Sequence, residues 1–302
     1  MQKVKSDKVI YTFKTDLKEV ATVKEHEEFI VETNDCFYQQ IQREDQVIEE
    51  IDQSSLNPAT GPIYVEGAQK GDLLKVNIKK IEVSEKGCSL AIPGFGVLGD
   101  KKMKATTKVI EVFNSLAHFS EDIKIPIKPM IGVIGVAPFE EDGSHNTDTP
   151  FKHGGNMDTT EIGENTTLYF PVAVDGAMLA LGDLHAVMGD GEVSGTGLEI
   201  PGEVTLEVEV IKNKTFNWPI LETKDEIIVL SSGDSMEQAT KYALESIIDI
   251  LKNSLNISWE ESYILSSLAV DLRISQLVDP KITIRSAISK EILSIDKVIE
   301  NL

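Results

Sequence analysis

The sequence contains few cysteines, and this shortage argues against a secreted protein. Cys36 and Cys88 are the only two cysteines among 302 residues, whereas a secreted protein of this size usually has more and pairs them in disulfides. The residues that follow Met1 are polar and mixed in charge, so we expect no secretory signal, which would need an apolar segment. These features predict a protein of the reducing cytoplasm.

Basic residues are also scarce, and the charge balance excludes two classes of partner. The chain has 29 Lys and Arg against 50 Asp and Glu, which gives a formal net charge of −21. A field of this sign repels the phosphate backbone of nucleic acids and the headgroups of anionic lipids. We therefore predict no nucleic-acid partner and no membrane partner.

The sequence has no long apolar run. The longest, residues 130–139, is interrupted by Gly132, Gly135 and Pro138, and it has about half of the roughly 20 residues that span a bilayer. Hydrophobic residues still make up 41% of the chain and charged residues 26%. This is the balance of a globular protein that buries a sizeable core.

Two patterns divide the chain near residue 233. Apolar and polar side chains alternate in 72–79 and 203–210, which predicts half-buried strands. Ser235 and Ser258 each begin a capping box, which predicts two helices, the first to about residue 253 and the second to about residue 276.

The fold class follows from these patterns. Most of the 21 glycines and 11 prolines precede the helical part, as expected for short strands joined by tight turns. We predict an α+β fold that is predominantly β, with a sandwich-like or jelly-roll-like region 1–232 and a helical region 233–302 packed on it. One compact unit is the alternative.

Asp183 and His185 form the first candidate site. In an extended strand their side chains project from the same face, while Leu184 points the other way into a core. A carboxylate and an imidazole presented together suit a divalent cation, and Asp158 is the nearest candidate for a third ligand. The alternative is that Asp183 only hydrogen-bonds His185 or caps a turn.

Glu192 lies in the glycine-rich segment that follows this pair. Glycines there allow the backbone to fold closely around a ligand, so Glu192 is a candidate base that takes a proton from a water whose pKa the cation lowers. The alternative is a solvated turn acid. Neither Cys36 nor Cys88 has a base beside it in the sequence, and we expect both thiols to be inert. Residues 94–99 predict a loop and a candidate lid.

Four ordered blocks together resemble the acetamidase/formamidase family, in its short form, over about residues 10–290. The blocks are His153–Asp158; Gly182–His185 with Gly189–Glu192; Asn57–Val65 with Gly71 and Asp72; and Asp271–Gln276 with Asp279 and Pro280. The resemblance implies hydrolysis of short aliphatic amides to the acid and ammonia, a β-rich α+β fold, divalent-metal binding and homo-oligomers.

This resemblance gives the remaining site residues their expected roles. Asp35 is a candidate for a further carboxylate ligand, and the alternative is a turn residue before Cys36. We expect the metal to be zinc, with calcium as the alternative. The backbone amides of Gly154 and Gly155 are candidates to stabilise the oxyanion. Candidate substrate-binding residues are Asn57, Thr60, His153 and Asn156.

Two hypotheses about function remain open from the sequence. The first is a metal-dependent hydrolase that cleaves a formamide-type or acetamide-type amide, and the second is a non-catalytic β-sandwich module that binds a metal or small ligand. Trp259 and Tyr263 lie where exposed aromatics would anchor a homodimer or higher homo-oligomer. The alternative is that both rings pack on the β region of their own chain.

Overall fold

Short alternating segments make the chain predominantly β, as predicted, in the computed structural model, which describes residues 1–302. The strands are β1 (Gln2–Val4), β2 (Val9–Ile10), β3 (Thr12–Phe13), β4 (Ala21–Val23), β5 (Phe29–Thr33), β6 (Ala59–Val65), β7 (Leu73–Val83), β8 (Lys86–Ala91), β9 (Thr106–Phe113), β10 (Leu116–His118), β11 (Lys124–Pro126), β12 (Met130–Gly135), β13 (His145–Asn146), β14 (Gly154–Asn156), β15 (Thr166–Pro171), β16 (Leu179–His185), β17 (Gly202–Ile211), β18 (Ile220–Glu222), β19 (Glu226–Gly233), β20 (Val270–Gln276) and β21 (Ile282–Ser289). The helices are α1 (Met236–Leu255), α2 (Trp259–Ala269) and α3 (Ile295–Glu300).

The strands form two large sheets and two smaller ones. The largest has nine strands in the order β1-β5-β17-β7-β15-β18-β19-β21-β20. A six-stranded sheet contains β14-β12-β16-β6-β2, with β4 paired to β6, and a four-stranded sheet contains β11-β10-β9-β8. The pair β13-β3 forms the fourth.

Apolar side chains between the sheets form the main core. It contains 37 buried residues, including residues of β7 and β17 in the nine-stranded sheet, of β12 and β16 in the six-stranded sheet, and of β9. The opposite face of the nine-stranded sheet packs against α1 and α3 through a second cluster of 15 residues. The molecule is therefore a β-sandwich with a helical layer on one outer face.

The two strands predicted from alternation are confirmed. They are β7 and β17, which lie side by side and pair antiparallel, with Val76 opposite Val208 and Leu74 opposite Val210. All four of these side chains are buried, because residues two apart along a strand point to the same face.

Both predicted helices begin where the sequence indicated, but the second ends early. The Ser235 hydroxyl accepts from the Gln238 amide at the start of α1, and Ser258 and Glu261 form a complete capping box at the start of α2. The prediction of helix to about residue 276 was wrong. Residues 270–276 form β20 instead, because they pair antiparallel with β21 at the edge of the nine-stranded sheet.

The C-terminal region is built into the same sheet as the N-terminal region. β20 and β21 extend the nine-stranded sheet beyond β19, and α1 packs on β19 and β21. The boundary predicted near residue 233 therefore falls at the end of β19, and the strands that follow it in the chain belong to the same sheet. No helix is long and apolar enough to cross a membrane.

Candidate functional site

Asp183 and His185 lie at the end of β16, between β12 and β6 of the six-stranded sheet. Their side chains share one site, with His185 Nε2 3.5 Å from Asp183 Oδ1, while Leu184 is buried in the core between the sheets. Asp183 has a positive φ of 53°. This backbone conformation is uncommon for a residue with a side chain and is often retained at functional sites.

Gly132 of β12 lies directly beneath two carboxylates. A Cβ added at Gly132 would lie 2.5 Å from Asp158 Oδ1 and 2.7 Å from Asp183 Oδ2. Asp158 follows β14, which pairs with β12, so neighbouring strands bring the two carboxylates together over a residue without a side chain. Asp158 also has a positive φ, of 37°.

Three carboxylates surround the same nitrogen of His185. Its Nε2 is 3.1 Å from Glu199 Oε1, 3.5 Å from Asp183 Oδ1 and 3.9 Å from Asp158 Oδ1. None of these contacts is a hydrogen bond, and neither ring nitrogen of His185 has a hydrogen-bond partner. Glu192 completes the group, because ligand atoms of Asp158, His185 and Glu192 lie within 4.8 Å of one another.

The donor atoms of this group fit a divalent cation. Both oxygens of Asp158, Asp183 Oδ1 and Glu199 Oε2 are buried without hydrogen-bond partners, as are both nitrogens of His185. Buried polar atoms normally have partners, and leaving them without one is costly. In a tetrahedral zinc site two ligand atoms lie about 3.4 Å apart. The distances from His185 Nε2 to the three carboxylate oxygens, 3.1, 3.5 and 3.9 Å, lie on both sides of this value.

Burial and mutual repulsion raise the pKa values of most of these carboxyl groups. Burial, reinforced by Asp183, raises the pKa of Asp158 to about 7, and burial raises that of Glu199 to about 8. Burial and Asp158 hold the pKa of Glu192 well above its ordinary value. Burial opposes charging of His185, but Glu199 and Asp183 raise its pKa well above normal. A cation among these groups would offset the repulsion.

The sequence reasoning missed two acids of this site. Glu199 was not singled out, although it is fully buried and accepts a hydrogen bond from the Gly197 amide at 2.8 Å. Asp279 is named only as part of the fourth block of the family resemblance, yet it lines the same cavity and accepts from Asn156 Nδ2 at 3.0 Å. The Asp-Pro pair was the available signal for Asp279.

A cavity of about 470 Å³ opens onto this cluster. Its polar side includes Asp183, Glu192, Glu199 and Asp279. Asn57 and Asn156 also line it, and the side-chain oxygen of each is buried without a partner. Two of the four predicted substrate-binding residues therefore face the cavity.

The other two predicted substrate-binding residues do not line it. The Thr60 hydroxyl donates to the Glu32 carbonyl at 2.7 Å, which occupies it in the sheet. His153 is buried between Phe13 and His145, whose ring it stacks on with centroids 4.8 Å apart.

The predicted oxyanion donors and the additional carboxylate also have structural partners. The Gly154 amide donates to the Phe151 carbonyl at 3.0 Å, so its hydrogen is not free for a substrate, and neither Gly154 nor Gly155 lines the cavity. Asp35 is buried, and its Oδ1 accepts from the amides of Phe37 and Gln39. These two contacts form a turn and leave only Oδ2 for other partners.

Cys36 lies nearer to the site than its sequence neighbourhood suggested. Its thiol lines the cavity, and its Sγ lies within 4.8 Å of ligand atoms of Asp183 and Glu199. Burial, reinforced by Glu199 and Asp183, raises the pKa of the thiol well above its ordinary value. This environment disfavours the thiolate, and the inertness of Cys36 stays a prediction.

Comparison with known proteins identifies close relatives of known structure. The chain is 46% identical to a predicted acetamidase/formamidase from Thermoanaerobacter tengcongensis, with a TM-score of 0.94 over 97% of this chain and 96% of that one. It is 40% identical to an acetamidase from Bacillus halodurans, with a TM-score of 0.93 over 96% and 97% of the two chains.

Curated relatives are more distant and longer. A formamidase from Methylophilus methylotrophus is 27% identical over 257 residues, which cover 66% of this chain and 63% of that protein. An acetamidase from Mycolicibacterium smegmatis is 25% identical over 262 residues, covering 65% and 64%. The chain thus spans a little under two thirds of the length of these relatives.

A family model matches nearly the whole chain. The model of the acetamidase/formamidase family matches residues 2–147 and 139–295, which together include every site residue described above. The chain belongs to the acetamidase/formamidase family.

Proposed function

We propose that the protein hydrolyses linear amides to a carboxylic acid and ammonia with the help of a divalent cation. The observation that carries this proposal is the group of buried carboxylate and imidazole atoms without hydrogen-bond partners, at one side of an open cavity. The similarity to proteins named formamidase and acetamidase supports the reaction class.

Asp158, Asp183 and His185 are the proposed ligands. When bound, the cation would polarise the amide carbonyl and lower the pKa of a water molecule. The imidazole favours zinc over calcium, since zinc commonly binds nitrogen whereas calcium takes oxygen ligands. One oxygen of Asp35 already accepts hydrogen bonds from two turn amides. We therefore place Asp35 beside the site but outside the set of ligands.

Asn57 and Asn156 are the proposed contacts for the substrate amide. Each presents a buried side-chain oxygen that lacks a donor, and a primary amide carries two N–H groups that could fill this need. An ester of the same shape offers no such hydrogens. These two residues would therefore orient the leaving nitrogen and select amides.

Glu192 is the proposed proton carrier. It is buried at the cavity wall, and burial together with Asp158 raises its pKa, so it holds a proton more readily than an ordinary carboxylate does. It would take the proton of the attacking water and deliver it to the departing nitrogen. The products are then the carboxylic acid and ammonia, which leaves far more readily than an amide anion.

An ammonia-release assay tests the proposal. Purified protein is incubated with formamide and acetamide as isolated, after treatment with a chelator, and after addition of zinc or calcium. We expect ammonia release that the chelator abolishes and one metal restores. Metal binding without ammonia release would instead favour the non-catalytic binding module.

Two further features complete the proposal. Cys36 and Cys88 are free thiols, which supports a reducing cytoplasm. Trp259 and Tyr263 are 49% and 53% exposed on α2, which supports their use as anchors in a homodimer or higher homo-oligomer.

A further inference from the structure

The cavity has a second, apolar side that the proposed reaction does not use. We call it the apolar wall and define it by Phe37, Ile48, Leu56, Ile92 and Phe95, all of which line the same cavity as the site carboxylates. The wall comes from two segments, one following β5 and one following β8. A site that binds only the smallest amides would not use this surface, because such substrates have little apolar area to bury.

The ring of Phe95 packs closely against Gly195. A Cβ added at Gly195 would lie 2.3 Å from the Phe95 ring, so the ring rests directly on the backbone of the loop that carries Glu192. The amide of Val97 donates to the Val193 carbonyl at 2.9 Å, which ties the two loops together. Phe95 is nevertheless 42% exposed, so its ring has apolar surface left to cover.

The size of the cavity also exceeds what the smallest amides need. At about 30 Å³ for each water-sized group, the cavity of about 470 Å³ holds roughly fifteen such groups. Acetamide has four non-hydrogen atoms, and formamide has three. The remaining volume is available to a longer acyl group.

We infer, resting on the proposed amidase function, that the preferred substrates carry an apolar acyl group longer than acetyl. The acyl chain lies against the apolar wall, and Phe95 closes over its far end. Burial of each added methylene should raise kcat/KM about fourfold, mainly through KM, because chain contacts are made equally in the ground state and the transition state.

A substrate series tests this inference. Ammonia release is measured for formamide, acetamide, butyramide, hexanamide and benzamide with the metal-loaded protein. We expect kcat/KM to rise roughly fifteenfold from acetamide to butyramide and to level off when the wall is filled. A fall in kcat/KM along the series from acetamide would overturn the inference while leaving the amidase function standing.

Phe95→Ala is the matched substitution, and Phe119→Ala is its control. Phe119 is almost equally exposed, at 41%, and lies outside this cavity; it lines a neighbouring cavity that Glu192 also borders, so the comparison uses the ratio for the two substrates and not the rate. We expect Phe95→Ala to lower the hexanamide-to-acetamide ratio of kcat/KM about tenfold, whereas Phe119→Ala leaves the ratio unchanged. An unchanged ratio in Phe95→Ala would contradict a role of this ring in acyl binding.

A binding measurement keeps the inference testable if no amide is hydrolysed, the outcome that would refute the proposed function. Hexanamide and acetamide are then titrated into the metal-loaded protein by calorimetry. Tighter binding of hexanamide that Phe95→Ala weakens would support the apolar wall as an acyl site. Equal binding of the two amides would overturn it.

Discussion

The guanidinium of Arg285, a fully buried side chain, forms an ion pair with Asp190, two residues before Glu192. The same group donates to Glu161, three residues after Asp158, and to the Ile274 carbonyl of β20 at 2.6 Å. One arginine thus connects both site loops to the C-terminal strands. Because the guanidinium has a planar arrangement of donors, it fixes the two loops relative to each other.

We expect Arg285→Lys to lower kcat while the protein keeps its metal. Lysine retains the charge but cannot reach both acids and the carbonyl together, so Glu192 should lose its alignment and kcat should fall about 10-fold to 100-fold. Arg273→Lys is the matched control, because Arg273 is paired opposite Arg285 in β20 but bonds mainly to Glu226 and Asp271 and approaches Glu161 only to 3.9 Å. Kinetics with metal analysis and thermal melting check the prediction. A lower Tm with unchanged kcat would assign Arg285 to stability alone.

Substitutions of His185 and Glu192 should have different effects. His185→Ala should strip or weaken bound metal and lower stability, because it removes the only imidazole of the cluster. Glu192→Gln should keep metal and fold but lose about two to four orders of magnitude in rate, as expected for a positioned base. Metal analysis and kinetics on both variants separate the roles. Metal loss in Glu192→Gln would make this residue a ligand, and full loading of His185→Ala would remove the histidine from the ligand set.

Gly132→Ala should disturb the cluster without replacing any titratable residue. The new methyl would overlap Asp158 Oδ1 and Asp183 Oδ2, so both carboxylates must move apart and metal affinity should fall at least 10-fold. Gly189→Ala is the control, since a Cβ there meets nothing within 4 Å. Equilibrium dialysis with zinc measures the difference. Equal affinities of the two variants would contradict the position assigned to the carboxylates.

The sequence predicted those parts of the fold that depend on local patterns. Alternation identified β7 and β17, and the capping serines marked the starts of α1 and α2, because these signals lie within a few residues of each other. The end of α2 was missed because the helix was extended through Leu272, although Val270, Leu272 and Ile274 alternate with polar residues as in a strand. This segment pairs antiparallel with β21.

The site was predicted in part for the same reason. Asp183, His185 and Glu192 are close in sequence, so local geometry and the family resemblance brought them together. Asp279 is 123 residues from Asn156, its hydrogen-bond partner, and only the complete sheet places it in the cavity. Gly132 has no functional group that could mark it as a site residue. Its role is to leave space for the carboxylates of Asp158 and Asp183.

A charge on α2 should separate the subunits of an oligomer. The rings of Trp259 and Tyr263 pack at a tilt of 35° with centroids 5.1 Å apart, and Leu268 on the same helix is 79% exposed. We expect light scattering to give a dimer or larger species for the wild type and a single 33.2 kDa chain for Trp259→Glu. Ile123→Glu, at an equally exposed apolar position, should not change the mass. A wild-type monomer would refute the interface.

Asp35→Asn should remove a pH dependence of stability from the metal-free protein. Burial raises the pKa of Asp35 from 3.8 to about 6, so the folded state binds this proton more tightly than the unfolded chain. The stabilisation is complete below pH 3.8 and is lost as the pH rises through about 6, at a cost of up to about 3 kcal/mol. Asparagine keeps an oxygen to accept from the amides of Phe37 and Gln39 but does not titrate.

Urea unfolding of the two proteins in chelator at pH 4 and pH 7 measures this difference. The stability of Asp35→Asn relative to the wild type should increase between the two pH values, because only the wild type must ionise a buried carboxyl group. A relative stability that is the same at both pH values would mean that Asp35 titrates normally. If Asp35→Asn also fails to bind zinc when the chelator is removed, Asp35 must be returned to the ligand set beside Asp183, since its role in the turn is retained by the amide.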